Sequence, residues 1–174
     1  MVPEPQLTTL TMHTARLRLE LESTEAVLAR VAAMSPADRA EVSPAWLARM
    51  RTATPSPWTH GFALIERTTG AHVGACGYKG PPDAEGMVEI AYGVDERYRG
   101  RGYAKEAATA LVDFALAAGA GVVRAHTRPE NGPSTRVLTA CGFKPVGEVV
   151  DPEDGRVWRW ELARPSQQSG CVGC

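Results

Sequence analysis

The sequence predicts an α+β fold in which a mixed and mostly antiparallel sheet carries helices on both faces. Two observations lead to this prediction. Several stretches alternate apolar and polar residues and are joined by short turns rich in Gly and Pro, which is typical of antiparallel hairpins. One longer stretch, residues 88–127, passes from an alternating strand through a glycine-rich turn into an apolar-striped helix and then into a second apolar strand. That order is typical of a strand–helix–strand unit.

The elements follow one another along a single domain, which we predict to span residues 14–164. Residues 1–13 lack periodicity and are expected to be a flexible lead, and residues 165–174 are expected to be a disordered tail. Strands are predicted at residues 14–22, 58–66, 72–78, 88–94, 122–127, 146–151 and 156–162. Helices are predicted over residues 24–34, from Ser43 and Pro44 onward, from the residues after Ala104 to Gly119, and from Asn131 or Ser134 to Cys141. Pro36 is expected to end the first of these helices.

Composition narrows the function classes. With 174 residues, 44% hydrophobic and 22% charged, the chain is long enough to bury a core. The net charge of −1 argues against a nucleic-acid partner. We see no signal-peptide pattern and no apolar run that could span a bilayer, so we expect a cytoplasmic protein without a membrane partner.

The four cysteines fit a reducing compartment. Cys76 and Cys141 have the surroundings of small buried hydrophobic residues. Cys171 and Cys174 form a Cys-x-x-Cys pair in the polar tail. One such pair cannot complete a zinc site, so no metal is expected.

The most informative segment is the turn between the strand at residues 88–94 and the helix that follows. It reads Arg-Gly-Arg-Gly-Tyr-Ala at residues 99–104. A helix N-terminus exposes unpaired N–H groups and partial positive charge, glycines let the backbone approach an anion, and Arg99 and Arg101 add charge. The turn is therefore suited to a phosphate, whereas the Walker A and dinucleotide-binding patterns are absent from the sequence. The alternative interpretation is a solvated basic turn.

This turn, an Arg-x-x-Gly-x-Ala motif, resembles the acetyl-CoA pyrophosphate loop of the GNAT acetyltransferases. The resemblance extends to Glu-Ile-Ala-Tyr at residues 89–92, Asn-Gly-Pro-Ser-Thr-Arg-Val-Leu at 131–138, Cys-Gly-Phe at 141–143 and Thr-Ala-Arg-Leu-Arg-Leu at 14–19. These pieces look like the RimJ/RimL-type subgroup, whose named members acetylate N-terminal amines of ribosomal proteins.

The resemblance implies the GNAT fold, acetyl-CoA as co-substrate, and direct transfer of its acetyl group to a primary amine. The loop would hold the pyrophosphate through backbone N–H groups, and Tyr92 and Val94 would offer main-chain bonds to the pantetheine. The cofactor-binding residues so implied are Tyr92, Val94, Arg99, Gly100, Arg101, Gly102, Tyr103, Ala104, Asn131 and Arg136.

Glu89 is the candidate general base. It shares a strand face with Ala91 and Gly93, whose small side chains leave room for a ligand beside the carboxylate. The alternative interpretation is an edge glutamate paired with an arginine. The other candidates for the base are His126, which is more often structural, His72 and Tyr92.

Ser134 is the candidate general acid, because some members of the family have a proposed acid for the leaving thiolate at this position. The alternative for Ser134, and for Asn131, is helix capping. Many GNAT enzymes have a tyrosine as general acid at the position of Leu138, so that role is absent here. By the same resemblance, the acceptor site would be bordered by Trp46, Trp58, Asp83 and Glu85, which could equally be core tryptophans and solvated loop carboxylates.

The function predicted from these residues is acetyl-CoA-dependent N-acetylation of a protein N-terminus or a small-molecule amine, by a monomer or homodimer. One alternative is a catalytically weak acyl-CoA-binding sensor that uses the same loop. Another is an RNA-binding module built on the arginine, glycine and tyrosine residues of positions 98–103, which the net charge of −1 disfavours.

Overall fold

The computed structural model describes residues 10–165, which form an eight-stranded sheet with helices packed on it. The strands are β1 (Thr11–His13), β2 (Leu17–Leu21), β3 (Phe62–Glu66), β4 (His72–Tyr78), β5 (Met87–Val94), β6 (Val122–Thr127), β7 (Lys144–Asp151) and β8 (Gly155–Ala163). The helices are α1 (Thr24–Ala32), α2 (Pro36–Ala40), α3 (Pro44–Thr52), α4 (Tyr103–Ala117) and α5 (Pro133–Ala140), and a short 3-10 turn spans Glu96–Tyr98.

The strand order across the sheet is β1-β2-β3-β4-β5-β6-β8-β7. β5 and β6 run parallel, and the other neighbouring strands run antiparallel. The crossover from β5 to β6 contains α4, as a parallel connection requires. The predicted mixed, mostly antiparallel α+β fold is confirmed.

The main core lies between the sheet and α4. Val88 and Ile90 are buried on one face of β5, and Ala107 and Leu111 are buried on α4. A spacing of two residues on the strand and four on the helix places each pair on one face of its element, and these two apolar faces pack together. Leu138 of α5 joins the same core. The central helix is thereby fixed over β5, which sets the position of the turn that begins it.

The N-terminal helices begin where serine can cap them. Ser23 accepts a hydrogen bond from the Ala26 N–H, and Ser43 accepts one from the Trp46 N–H. The second of these helices starts at Pro44, as the sequence predicted. Pro36 has a second role beyond the predicted one. It does follow the end of α1, but it also opens α2, because proline fits the first turn of a helix where no N–H is needed.

Some predicted boundaries at the ends of elements differ from the observed ones. Thr11–His13, expected in the flexible lead, is a short edge strand paired with β2. β3 begins at Phe62 rather than at Trp58, because Trp58 lies in the preceding turn with its ring 4.7 Å from that of Tyr78 and 5.7 Å from that of Phe114. The predicted tail, with Cys171 and Cys174, lies outside the described residues apart from its first residue, and so do residues 1–9.

The start of α5 also differs from both predicted starts. Gly132 is the N-cap residue, and its N–H donates to the Thr135 hydroxyl at 3.0 Å. Asn131 and Ser134 flank this cap, and their side chains do not supply it. The capping interpretation of these two residues is therefore wrong.

Candidate active site

The site begins where β5 and β6 separate. Their parallel ladder pairs Met87 with Val122, Val88 with Val123, and Glu89 with Arg124. In the described structure the ladder ends there, although β5 continues to Val94 and β6 continues to Thr127 along β8. The two strands thus leave an opening in the middle of the sheet.

The backbone of β5 turns hydrogen-bonding groups into this opening. Antiparallel residues alternate between those that bond across the ladder and those that point away from it. Lys79 N–H donates to the Glu89 carbonyl at 2.9 Å, so Glu89 bonds toward β4. Tyr92 and Val94 lie three and five positions later and therefore point their N–H and C=O groups toward the opening. The Val94 carbonyl accepts a hydrogen bond from Arg99 Nε at 3.1 Å.

A cleft of about 650 Å³, here called the long cleft, runs from this opening to the glycine-rich turn. Gly100 and Gly102 have φ of 74° and 84°, a region that residues with a Cβ rarely adopt. Gly102 is the N-cap of α4 and has no side chain to satisfy the N–H groups of the first turn. The charged residues that line the long cleft are Arg99, Lys105 and Arg136. The turn therefore offers backbone donors and positive charge to an anion.

The start of α4 is tied to the N-terminal segment. Glu106 accepts hydrogen bonds from the Thr14 hydroxyl at 2.7 Å, the Arg16 N–H at 3.0 Å and Arg16 Nε at 2.6 Å. Burial alone would raise the pKa of Glu106, but these hydrogen bonds and the Arg16 charge outweigh it and hold the pKa below its ordinary value. A carboxylate in the first helical turn also complements the helix dipole.

A second cavity of about 290 Å³, here called the Glu89 pocket, adjoins the long cleft, and Tyr92 and Ser134 line both. Inside it, Glu89 Oε1 lies 2.8 Å from His126 Nδ1. His126 Nε2 accepts a hydrogen bond from Arg159 Nε at 3.1 Å. An acceptor at Nε2 leaves the ring proton on Nδ1, so His126 donates to the Glu89 carboxylate.

Lys79 and Asp154 complete this polar chain. Lys79 Nζ lies 3.1 Å from Glu89 Oε1 and 3.7 Å from Asp154 Oδ2. His126 and Lys79 thus both contact Oε1, and Oε2 forms no hydrogen bond or ion pair with another side chain among residues 10–165. The side chains of Glu89 and His126 are 17% and 7% exposed. Glu89 is therefore a carboxylate held by hydrogen bonds at one of its two oxygens.

Most of the predicted site residues meet in these two cavities. The long cleft is lined by Tyr92, Val94, Arg99, Gly100, Gly102, Tyr103, Ala104, Ser134 and Arg136, and the pocket is lined by Glu89 and Ser134. Arg101 and Asn131 are not among the lining residues described. Arg101 lies with its guanidinium 5.5 Å from the Tyr98 ring centre, and Asn131 is exposed before α5.

The structure distinguishes between the three alternative candidates for the general base. His126 lies in the pocket, but it contacts Glu89 and Arg159 through its two nitrogens. His72 is outside the lining of both cavities, 3.9 Å from Asp95. Burial raises the pKa of the Tyr92 phenol, which keeps it protonated and unsuited to accept a proton.

Trp46, Trp58, Asp83 and Glu85 do not line either cavity in the part of the chain described. Asp83 instead accepts hydrogen bonds from the N–H groups of Glu85 at 3.0 Å and Met87 at 2.9 Å, which shapes the turn before β5. Sequence reasoning missed Lys79, Asp154 and Arg159. The signal for Arg159 was its alternation with Trp158 and Trp160, which places it on the His126 face once β6 and β8 pair.

Among residues 10–165, no helix has both the length and the apolar character needed to cross a bilayer. The same residues contain no cluster of three His, Cys, Asp or Glu side chains that could hold a metal ion.

The fold and the two cavities define a class of proteins that can hold an extended, phosphate-bearing ligand between two diverging parallel strands. A family model described as "Acetyltransferase (GNAT) domain" matches residues 7–144. The chain therefore belongs to the GNAT acetyltransferase family, as the loop motif indicated.

One curated relative and two solved structures are also similar to the chain. The chain is 29% identical over 96 residues to an uncharacterized N-acetyltransferase, p20, of Bacillus licheniformis, a match that covers 55% of this chain and 54% of that protein. The chain thus spans about half the length of this curated relative. Its fold is similar to a GNAT-family acetyltransferase of Bacillus anthracis, with a TM-score of 0.67, 19% identity, and coverage of 88% and 98% of the two chains. It is also similar to RimL, a ribosomal-protein α-N-acetyltransferase solved in complex with coenzyme A, with a TM-score of 0.67, 15% identity, and coverage of 88% and 98%.

Proposed function

We propose that the protein transfers the acetyl group of acetyl-CoA directly to a primary amine. The observation that carries this proposal is the opening between β5 and β6. It turns the backbone groups of Tyr92 and Val94 into a cleft that has an anion-binding turn at one end and a carboxylate pocket at the other.

The residues present fit acetyl-CoA. The backbone N–H groups of the turn, together with Arg99 and Arg136, would hold the pyrophosphate. The Tyr92 backbone and the Val94 N–H would bind the pantetheine as an added strand would. Bound there, acetyl-CoA supplies an activated acyl group as a thioester. Arg101 and Asn131 remain proposed cofactor contacts, which the family pattern supports.

Glu89 is the proposed general base. An amine reaches the site protonated at neutral pH and must lose a proton before it can attack. The His126 N–H and the Lys79 ammonium both contact Oε1, which orients the carboxylate and leaves Oε2 for the acceptor's proton, directly or through a water. Arg159 keeps the His126 tautomer that donates to Glu89. Arg159 is thus a positioning residue.

Ser134 is the proposed acid for the leaving thiolate. It lies in the first turn of α5, and it lines both cavities at their junction. The acceptor and the thioester must meet at such a junction. A hydroxyl there can donate a hydrogen bond as negative charge develops on sulfur.

The acceptor class is the finer part of the proposal. The first acceptor to test is the N-terminal amine of a peptide, because RimL is described as an α-N-acetyltransferase of ribosomal protein and the sequence motifs resemble that subgroup. Small-molecule amines are the alternative acceptors. A cytoplasmic location and a monomeric or homodimeric state stay predictions.

The test is release of CoA thiol from acetyl-CoA in the presence of peptides with free or blocked N-termini and of small amines. We expect turnover with at least one free amine and none with the matched blocked peptide. Calorimetry with CoA supplies the second measurement. Binding of CoA without turnover of any amine would contradict the proposal and support the acyl-CoA sensor, and absence of binding would contradict both.

A further inference from the structure

The Glu89 pocket contains a primary amine of the chain itself. Lys79 follows β4, and its side chain is 40% exposed. Its Nζ lies 3.1 Å from Glu89 Oε1, within reach of the carboxylate assigned as the base. The pocket it lines shares Tyr92 and Ser134 with the long cleft, so Lys79 and a ligand of that cleft would border one continuous space.

We propose that Lys79 is an intramolecular acetyl acceptor, modified at Nζ by acetyl-CoA bound to the same chain. The inference rests on the proposed function and adds a modification site to it. Lys79 combines the features that an external acceptor would need. It is a primary amine, it contacts Glu89, and a second carboxylate, Asp154, lies 3.7 Å away on the hairpin between β7 and β8.

The reaction balances with the groups present. The Lys79 ammonium gives one proton to Glu89, the amine nitrogen bonds to the thioester carbonyl carbon, and the carbon–sulfur bond breaks. The thiolate leaves with the electron pair and takes a proton from the Ser134 hydroxyl, which recovers the second proton from nitrogen. The products are N-acetyl-lysine and free CoA. Acetylation removes the positive charge of Lys79 and therefore the ion pair with Glu89.

The ammonium is the resting form of Lys79. Burial alone would lower the pKa of this group, but the hydrogen bond with Glu89 and the charges of Glu89, Asp154 and Asp151 outweigh it and hold the pKa above its ordinary value. Self-acetylation should therefore be slow and should accelerate as pH rises, because the attacking amine must be neutral.

The lysine content of the chain makes the modification easy to locate. The sequence contains three lysines, Lys79, Lys105 and Lys144. Lys105 lines the long cleft at the turn, and Lys144 is exposed at the start of β7. Lys144 is therefore the matched control for chemical acetylation of an exposed amine.

The test incubates the full chain with acetyl-CoA and no added amine, followed by intact-mass measurement and peptide mapping over time. We expect one acetyl group on Lys79, and the fraction of chains modified per unit time should not depend on protein concentration. The Lys79→Arg variant should lose this modification, and Glu89→Gln should slow it at least tenfold. The Lys144→Arg variant should be modified like the unaltered chain, and chain unfolded in urea should not show preferential modification of Lys79.

Parallel assays separate this inference from the proposed function. An unmodified Lys79 in protein that acetylates an added amine would overturn the inference and leave the function intact. Modification of Lys79 no faster than that of Lys144, or equally fast in Glu89→Gln, would show chemical acetylation and also overturn it. A fraction of chains modified per unit time that rises with protein concentration would show transfer between chains and would overturn the inference. Protein that neither binds CoA nor modifies any amine would refute both proposals.

Discussion

Replacement of Glu89 by glutamine tests the central chemical assignment. The amide oxygen of glutamine can still accept hydrogen bonds from His126 Nδ1 and Lys79 Nζ, which contact the carboxylate at 2.8 and 3.1 Å. The amide cannot accept a proton in the position of Oε2. Glu89→Gln therefore preserves the shape and most contacts of the pocket while removing its base.

The expected loss follows from the worth of a positioned base. General-base catalysis contributes about 10²- to 10⁴-fold, so kcat/KM at neutral pH should fall by that factor. This corresponds to about 2.7–5.4 kcal/mol of transition-state stabilisation. CoA affinity should change little, because Glu89 is absent from the described lining of the long cleft.

The assay is steady-state release of CoA thiol across pH, with CoA affinity measured by calorimetry. Glu148→Gln is the matched control. It makes the same change in an exposed ion pair with Arg156 on the β7–β8 hairpin, and it should leave the rate unaltered across pH. Full activity of Glu89→Gln across pH would show that Glu89 is structural.

Three further predictions concern the cofactor cleft and its support. A Cβ atom added at Gly93 would meet no atom within 4 Å, and Gly93 lines the long cleft. Gly93→Val should therefore weaken CoA binding in calorimetry at least about tenfold, or about 1.4 kcal/mol, without lowering Tm. A Cβ atom at Gly80 would also lie in open space, but Gly80 is outside that lining, so Gly80→Val should not weaken CoA binding. Equal CoA affinities of the two variants would contradict the cleft assignment. Glu106→Gln should lower the free energy of unfolding by about 1–3 kcal/mol near neutral pH, because hydrogen bonds from Thr14 and Arg16 then meet a neutral amide. The pKa of Glu106 is lowered in the folded state, so its stabilisation is present above the unfolded-state pKa and lost as pH falls through the folded one. The variant should lack this acid-dependent part in urea titrations at several pH values, and an identical pH dependence would refute the argument. Asn131→Ala should raise the KM for acetyl-CoA more than the KM for the amine and change the unfolding free energy by no more than about 0.5 kcal/mol, because Gly132 is the N-cap. Loss of stability with unaltered kinetics would show a structural role.

The errors in the predicted elements share one cause. β1 has three residues, too few for alternation to show, and it forms because β2 offers an edge to pair with. Trp58 continues the apolar pattern of β3 along the chain, but its ring packs on Tyr78 and Phe114 from a turn. In both cases a tertiary contact decides the conformation, and the spacing of apolar residues along the chain does not predict that contact.

The sequence by itself determined the features whose physics is local. These are the period of β5, the starts of α1 and α3, and a glycine-rich turn at the start of α4 whose positive φ angles require Gly100 and Gly102. The loop motif was sufficient to indicate the family. Only the tertiary structure decided which side chains meet. Glu89, His126 and Arg159 are 37 and 33 residues apart, and the strand order β5-β6-β8 makes them neighbours on one face. The separation of β5 from β6 is likewise a property of the sheet, because a strand's sequence pattern specifies which face is buried and not where its partner ends.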